Sequence, residues 1–294
     1  MPELPETETI ARDLDAAIVG AAIVDVAVPR PSVLRAVDAT ALARRTRGAR
    51  VARVWRRAKL IVLDLSSGER IAVQPRFTGA LLVEEPAGPP LAERERGFVR
   101  VTFTLDDGRR LHYRDIRCLG TVALLEPATF DAYVATLGPE PLDPDFTPAR
   151  LHDVLAASRQ PVKKVLMDQR RLVGVGNIYA NEALWRAGIH PAREARALSR
   201  DDAGRLHEAI VGVLTESIAL RGTSFRDYVD ARGGRGAFVE RLAVYGRGGA
   251  PCVRCARPLD ATHEVDGRQT VYCAACQPAA HRRPAGRART VAAR

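Results

Sequence analysis

The spacing of apolar residues changes twice along this chain. Ile10, Leu14 and Ile18 fall four residues apart and form one apolar stripe, which predicts a helix over residues 3–19. From about residue 23 to residue 126, apolar residues occur in short runs that predict strands. Beyond residue 144 the spacing is helical again. The pattern therefore predicts a strand-rich part followed by a helical part.

The strand-rich part reads as an antiparallel sandwich or barrel. Its clearest runs, rich in β-branched, leucine or aromatic residues, are 60–65, 80–83 and 98–105. Turn residues such as Ser67-Gly68 separate the runs, and regular short strands with turns are typical of this architecture. The proline-containing, charged stretch 84–97 is predicted to be a surface loop.

A stiff, proline-rich segment over 138–144 marks the boundary to the helical part. Thr147-Pro148 predicts a helix start, because threonine caps helices and proline is favoured at the first helical position. Ser199 with Asp202 resembles a capping box. The predicted helices are 147–157, 161–168, 177–187 and 199–220.

Length and composition bound the class of protein. The 294 residues suffice for two domains, and a hydrophobic fraction of 46% supports real cores. No run of about 18 apolar residues occurs, so no membrane-spanning helix is expected. The first residues are acidic and lack the apolar region of a secretory signal, so a cytoplasmic location is expected.

The charge points to an anionic partner. The formal net charge is +10, and nucleic acid is the commonest partner of such basic chains. Of the 45 basic residues only Lys59, Lys163 and Lys164 are lysines, so arginine is the default cation. A lysine retained against that background is either needed as lysine or a product of compositional drift.

Four of the five cysteines form two Cys-x-x-Cys pairs separated by seventeen residues. The spacing matches a four-thiolate zinc site, and because all four ligands come from protein the zinc should be structural. A redox dithiol is the alternative, but it does not account for two pairs. The predicted ligands are Cys252, Cys255, Cys273 and Cys276.

Candidate chemistry begins at the second residue. If Met1 is removed, Pro2 becomes a terminal secondary amine with a pKa of about 7.7–8.0, so part of it is unprotonated at neutral pH. Such an amine can attack an electrophilic carbon and form an iminium, with the carboxyl group of Glu3 placed to move protons. The alternative is that Pro2 only starts a helix.

Three other positions carry two interpretations each. Asn177, after Gly174-Val175-Gly176, either opens a phosphate-binding helix N terminus or follows a plain glycine cap. Lys59 either extends to solvent or points into a cleft, where it would bind phosphate or transfer a proton. Arg268, between the cysteine pairs, either clamps phosphate or is solvated.

Together these residues resemble the formamidopyrimidine-DNA glycosylase and endonuclease VIII family, on the formamidopyrimidine side. The resemblance covers about residues 1–278. Its anchors are the segments PELPE at 2–6, RRAK at 56–59, the 166–191 stretch ending in AGIHP, and VYGR at 244–247. Four motifs in the right order are far more specific than any one of them.

The resemblance implies an α+β, multidomain fold with DNA in the cleft between two lobes. An N-terminal catalytic β-sandwich with an N-terminal helix is expected over 1–136, and a helix–two-turns–helix DNA-binding domain over 137–236. A four-cysteine zinc-finger hairpin is expected over 237–278, and a basic, disordered tail over 279–294. A monomer that contacts no membrane and carries one structural zinc ion is implied.

The resemblance also implies residue roles. Pro2 matches the amine nucleophile and Glu3 the catalytic acid, while Lys59 matches the conserved lysine of the β-domain. Asn177 matches the phosphate-binding asparagine. A helical lysine of the family matches Lys163, which is expected to bind DNA. The zinc-finger arginine matches Arg268, which is expected to join Pro2, Glu3 and Lys59 as a catalytic residue that holds phosphate.

The implied activity is bifunctional: excision of an oxidised base, then strand cleavage by β,δ-elimination through the proline iminium. The chain departs from the family pattern in two loops. Phe77 stands where the residue that fills the hole left by the flipped base is expected, and an aromatic wedge can fill it. Arg117 keeps the arginine expected to face the orphaned base, but Leu119 replaces a stacking phenylalanine.

These departures bear on lesion choice rather than on the chemistry. Oxidised purines such as 8-oxoguanine and formamidopyrimidines are favoured over oxidised pyrimidines. A protein of another class, a zinc-stabilised lesion-binding protein without catalysis, is the remaining alternative. Retention of Pro2, Glu3 and Lys59 argues against it, because binding alone needs none of them.

Overall fold

The computed structural model describes residues 2–225 and 227–279. The chain forms a β-sandwich lobe, a helical lobe and a small cysteine-containing hairpin, as the α+β prediction requires. Residues 280–294, nearly all of the tail predicted to be disordered, lie outside the described residues. In the described part, no helix has the length and apolarity needed to cross a membrane.

The N-terminal helix connects the two lobes. Helix α1 spans Leu4–Ile18, close to the predicted 3–19, and its stripe of Ile10, Leu14 and Ile18 is fully buried in the sandwich core. Its first residue, Leu4, instead belongs to the core of the helical lobe. The residues before α1 are therefore held between the lobes.

Nine strands lie between residues 23 and 125 and form two sheets. The first sheet has the order β1-β7-β8-β6 and the second β2-β9-β5-β4-β3. The strands are β1 (Ile23–Ala27), β2 (Leu34–Arg35), β3 (Val51–Arg57), β4 (Leu60–Leu65), β5 (Arg70–Gln74), β6 (Gly79–Glu84), β7 (Val99–Leu105), β8 (Arg110–Asp115) and β9 (Thr121–Leu125).

The predicted antiparallel arrangement is correct for every pair in these sheets except β2 with β9, which is parallel. Hairpin turns make the consecutive pairs β3–β4, β4–β5 and β7–β8 antiparallel, whereas β2 and β9 are far apart along the chain and no turn fixes their relative direction. Apolar side chains from both sheets, including Ile61, Leu63, Val101 and Phe103, fill the space between them.

Three short helices of this lobe were not predicted. They are α2 (Ala39–Thr46), α3 (Glu93–Arg96) and α4 (Pro127–Val134). α3 lies in the stretch predicted to be a surface loop, and none of its residues is buried. An element without a buried face leaves no apolar periodicity in the sequence.

The helical lobe confirms the four predicted helices. They are α5 (Pro148–Ala156), α6 (Val162–Met167), α7 (Asn177–Ala187) and α8 (Arg200–Ala219). Thr147 caps α5 by accepting from the backbone N–H of Arg150, and Ser199 with Asp202 forms the capping box of α8. The chain then closes with the hairpin of β10 (Asp260–Thr262) and β11 (Thr270–Tyr272).

Candidate functional site

Two glycines of the turn before α7 hold the chain start against the helical lobe. Pro2 is buried, and the Leu4 N–H donates to the Gly174 carbonyl oxygen at 3.0 Å. Gly174 has φ +80°, and a Cβ there would lie 2.5 Å from the Leu4 side chain. At Gly176 a Cβ would lie 2.4 Å from the Glu3 carboxyl carbon. Only glycine allows this close approach.

Glu3 occupies the N terminus of α7. Its side chain is 1% exposed and accepts hydrogen bonds from the N–H groups of Gly176 at 2.6 Å and Ile178 at 3.0 Å. Backbone N–H groups at a helix start stabilise negative charge. The anion-binding helix start considered for this turn therefore exists, but the anion is the chain's own carboxylate.

Asn177 is the first residue of α7, and Gly176 takes the cap position. The Asn177 side chain donates instead to the carbonyl oxygen of Gln269, at 3.1 Å. The expectation that Asn177 opens α7 is confirmed, whereas a capping role is not.

A second buried carboxylate, Glu6, links the chain start to the segment after α8. It accepts from the N–H groups of Glu3 and Thr223, both at 2.8 Å, and from the Tyr179 hydroxyl at 2.5 Å. Burial raises the pKa of Glu6, and the nearby Glu3 charge raises it further. The Tyr179 hydroxyl also contacts the Ser217 hydroxyl at 2.6 Å. The sequence reasoning missed this network.

Lys59 points into the cleft between the lobes. Arg57 pairs with Leu60 across β3 and β4, so Ala58 and Lys59 form the hairpin turn, with Ala58 at φ +56°. The Lys59 ammonium donates to the Val175 carbonyl oxygen at 2.9 Å. Burial lowers the pKa of Lys59; the Glu3 carboxylate opposes this and the positive charge of Arg268 adds to it. Lys59, Glu3 and Arg268 thus share one site.

Glu140, in the linker between the lobes, fastens this hairpin. Its carboxylate accepts from Arg56, from Arg57 and from the N–H of Ala58, each at 2.7 Å. Arg56 also donates to Glu8 of α1 at 2.8 Å. The hairpin, the linker and α1 are therefore joined by charge-assisted hydrogen bonds.

Lys163 of α6 contacts the turn that carries Arg268. Its side chain is fully buried, and its ammonium contacts Asp266, Gln269 and Thr270 of the turn that carries Arg268. The family resemblance implied that this lysine lies at the DNA. In the structure its ammonium is paired with that turn, which supplies a carboxylate, a carbonyl oxygen and a hydroxyl as acceptors.

Phe77 and Leu119 project from two neighbouring loops of the sandwich and are 46% and 40% exposed. Arg117, from the second loop, stacks its guanidinium over the Phe77 ring at 5.1 Å. Grouped exposed apolar side chains can mark an interaction surface, whereas single ones are common on protein surfaces. The structure brings the three predicted residues together.

Buried Asp115, which sequence reasoning missed, holds both loops. One carboxylate oxygen accepts from the Thr78 hydroxyl at 2.5 Å and from the Arg117 N–H at 3.2 Å. The other accepts from the Gly120 N–H at 2.8 Å. A single buried acid therefore sets the position of both loops.

The four predicted cysteines converge, with all sulfur atoms within 4.8 Å of one another. Cys252 and Cys276 sulfurs are 3.9 Å apart, and Cys255 and Cys273 sulfurs 3.5 Å apart. Zn–S bonds of about 2.3 Å in a tetrahedron place sulfur atoms roughly 3.8 Å apart. The cluster could therefore hold a metal ion.

Trp185 of α7 provides a second test of this fit. Within the described residues its buried indole N–H has no oxygen or nitrogen acceptor, and it lies beside the Cys252 sulfur. Although burial opposes ionisation, hydrogen bonds from the N–H groups of Arg254 and Cys255 and from this indole lower the pKa of Cys252 to about 6. A metal-bound thiolate is the acceptor that the indole lacks.

The comparisons with known proteins agree with this geometry. A family model described as the formamidopyrimidine-DNA glycosylase N-terminal domain matches residues 1–122, and one described as the formamidopyrimidine-DNA glycosylase H2TH domain matches residues 137–229. A formamidopyrimidine-DNA glycosylase of Heliobacterium modesticaldum is 41% identical over 279 residues, which cover 94% of this chain and 100% of the relative. One from Chloroflexus aggregans is 42% identical over 285 residues, covering 94% and 98%.

Solved structures of Fpg proteins are also similar to this chain. The Lactococcus lactis Fpg in complex with abasic-site DNA has a TM-score of 0.85 and 30% identity, covering 94% of this chain and 99% of its own. The wild-type Lactococcus lactis Fpg (MutM) with DNA containing N7-benzyl-Fapy-dG has a TM-score of 0.85 at 30% identity, covering 94% and 100%. The MutM (Fpg) protein of Thermus thermophilus has a TM-score of 0.81 at 34% identity, covering 94% and 98%.

Proposed function

This chain belongs to the formamidopyrimidine-DNA glycosylase family, and on that basis we propose that it removes oxidised purines and cuts the strand through an iminium on Pro2. It is a DNA glycosylase of base excision repair, and AP lyase activity is typical of its family. The observation that carries the proposal is the burial of Glu3 at the α7 N terminus, which holds Pro2 beside the Lys59 cleft.

The chemistry follows from these positions. The damaged nucleotide is flipped out of the stack at a cost of a few kcal/mol. The Pro2 nitrogen, once Met1 is removed, attacks the anomeric carbon of the sugar, and the bond from that carbon to the base breaks. Glu3 accepts the proton that Pro2 loses and passes a proton to the sugar ring oxygen as the ring opens. The base departs with the electron pair of the broken bond and takes a proton from water, and a cationic iminium joins Pro2 to the sugar.

Strand cleavage needs no further reagent. The iminium acidifies the adjacent C–H, so loss of that proton breaks the 3′ C–O bond and expels the phosphate. A second proton loss along the conjugated system expels the 5′ phosphate, and water then releases Pro2 as the amine. Lys59, Asn177 and Arg268 bind phosphates, and the ammonium of Lys59 offsets the charge of the leaving group.

The wedge residues read the remaining duplex. Phe77 fills the space of the flipped nucleotide, Leu119 supports it as an aliphatic wedge, and Arg117 faces the orphaned base. The contact of the Arg117 guanidinium with the Phe77 ring, at 5.1 Å, places the two side chains side by side before DNA binds. The Fapy-dG and N7-benzyl-Fapy-dG DNA bound in Lactococcus lactis Fpg structures supports ring-opened purines as substrates.

The metal held by the four cysteines is zinc, with a structural role. Sulfur spacing near that of a tetrahedral thiolate site supports this identity. The ion would hold the hairpin of β10 and β11, and no reaction step passes through it. One chain supplies every site residue, which supports action as a monomer on double-stranded DNA. Reduced metal thiolates favour the cytoplasm, with the protein on the nucleoid when bound.

Borohydride trapping on abasic-site DNA tests the proposal. The iminium should be reduced to a stable protein–DNA adduct, and peptide mass spectrometry should place the sugar on Pro2. The variant Pro2→Gly should lose base excision yet keep most of its DNA affinity. A Lys164→Met variant, altered on the exposed face of α6, serves as the matched control and should be trapped normally. Trapping through another residue, or excision by a protein that retains Met1, would refute the mechanism.

A further inference from the structure

The Lys163 ammonium has three acceptors, and all three lie on one turn. The Thr270 hydroxyl oxygen is 2.7 Å away, the Asp266 carboxylate 3.3 Å and the Gln269 carbonyl oxygen 3.4 Å. An ammonium group has three N–H donors, so these contacts use its full capacity. Lys163 therefore has no donor left for a phosphate in this structure.

The surroundings of this amine are closed. The Lys163 side chain is fully buried, and the Asp266 carboxylate it faces is 4% exposed. Burial lowers the pKa of Lys163, while the Asp266 charge acts in the opposite direction. A buried charge persists where it is paired and hydrogen-bonded, and breaking such a pair is costly. The contact therefore restrains the turn strongly.

Arg268 depends on this restraint. Asp266 accepts from the N–H of Arg268 at 3.1 Å through the same oxygen that faces Lys163, and Gly267 between them has φ +77°. The residue that anchors Lys163 thus also sets the backbone of Arg268. A shift at Asp266 would therefore move the backbone from which the Arg268 side chain extends.

Helix α7 braces the other side of the turn. The Asn177 amide donates to the Gln269 carbonyl oxygen at 3.1 Å, and the Asn181 side-chain oxygen accepts from the Val271 N–H at 2.9 Å. Residues 266–271 are therefore held by hydrogen bonds to α6, through Lys163, and to α7, through the two asparagines. The hairpin is oriented by the helical lobe as well as by its cysteines.

We propose that Lys163 is a positioning residue that acts through Arg268, and that it does not itself contact phosphate. This rests on the proposed phosphate-binding role of Arg268. A phosphate that reached Lys163 would have to enter a buried contact and displace three acceptors. Arg268 is exposed at the tip of the turn and needs no such rearrangement.

A double-mutant cycle with Lys163→Met and Arg268→Gln tests the coupling. Binding to a duplex with a non-cleavable abasic analogue is measured across a salt series for the wild type, both single variants and the double variant. Each single variant should bind on the order of tenfold more weakly, the strength of one hydrogen bond to a charged group. The double variant should bind no more weakly than Arg268→Gln alone.

The salt dependence separates the two roles. Each lost phosphate contact reduces the slope of log affinity against log salt by about 0.9 for duplex DNA. In both single variants and in the double variant, the slope should therefore fall by the amount expected for one phosphate contact. Additive losses, with a slope reduced by two contacts in the double variant, would mean that Lys163 binds phosphate and would overturn the proposal. Lys164→Met, at the next and exposed position, is the control and should combine additively with Arg268→Gln.

Lysine labelling gives a test that does not depend on the folding of a variant. The chain has three lysines, so reductive methylation of the wild type followed by peptide mass spectrometry reports each one. Lys164 should be modified rapidly, and Lys163 should stay unmodified both in the free protein and in the DNA complex. Labelling of Lys163 in the free protein with protection by DNA would overturn the proposal. If Arg268→Gln binds DNA as tightly as the wild type does, the proposed role of Arg268 is refuted instead.

Discussion

Glu140→Gln should weaken both the stability of the protein and its catalysis. The substitution keeps the shape of the side chain but removes the charge that three donors share. A glutamine side chain has one acceptor oxygen and an NH₂ group, and that group must face a guanidinium or the Ala58 N–H. The charge-assisted hydrogen bonds that join the Lys59 hairpin to the linker are therefore lost or weakened.

The size of the effect follows from burial. Glu140, Arg56 and Arg57 side chains are 12%, 9% and 15% exposed, so solvent screens the cluster little. Breaking a buried pair costs about 3–5 kcal/mol. Arg56 keeps Glu8 and Arg57 keeps the Gly138 carbonyl oxygen, which reduces the loss to about 2–3 kcal/mol. At roughly 2–4 °C per kcal/mol, the Tm should fall by about 4–12 °C.

Two measurements check this expectation. Thermal unfolding followed by circular dichroism gives the change in Tm, and single-turnover excision gives the catalytic effect through Lys59. A loosened hairpin that displaces the ammonium by about 1 Å should slow excision by up to about 10²-fold. Glu208→Gln, at an exposed position on α8, is the matched control. A Glu140→Gln protein that melts and reacts like this control would show that the linker does not hold the hairpin.

Three further predictions concern single positions. Trp185→Phe should release its metal to a chelator on the order of tenfold faster than the wild type, because the Cys252 thiolate loses a hydrogen-bond donor. The control Trp55→Phe should release its metal at the wild-type rate. Equal release rates in the two variants would contradict this. Gly176→Ala should abolish most excision, since its Cβ would meet the Glu3 carboxylate, whereas Gly204→Ala has open space and should be tolerated; an active Gly176→Ala enzyme would disprove the steric argument. The stability of the wild type relative to Lys59→Met should rise with pH toward about 10.4, as measured by melting both proteins over that range. The sign follows because burial lowers the pKa of Lys59, so the folded protein releases this proton before the unfolded chain does, and a flat difference would refute it.

Local sequence signals predicted most of the fold. The apolar stripe of α1, the Thr147 cap and the Ser199–Asp202 box depend on neighbours within one or two turns, and all three appear as expected. Cysteine spacing predicted the cluster because two Cys-x-x-Cys pairs form a recognisable motif even when seventeen residues separate them. The parallel pair of β2 and β9 was missed because no local pattern specifies which distant strands meet.

Sequence motifs identified residues of the candidate site, but not the distant groups that hold those residues in place. The sequence placed Glu3 beside Pro2 but could not show that α7, more than 170 residues away, supplies its hydrogen bonds. Glu140 was missed because its donors are more than 80 residues away, and Asp115 because its bond to Thr78 joins two loops 37 residues apart. Glu6 was within reach: Glu3 and Glu6 stand three residues apart at a helix start, the spacing of a capping box.

The shared position of the chain start has a practical consequence. Leu4 packs in one lobe and Ile10 in the other, so the first turn of α1 cannot be assigned to either half alone. A sandwich expressed without residues 137–279 would carry the proline but lack the groups that hold it still. Two fragments cut at the 138–144 linker should each be inactive in strand scission, because neither contains both the proline and the groups that hold it.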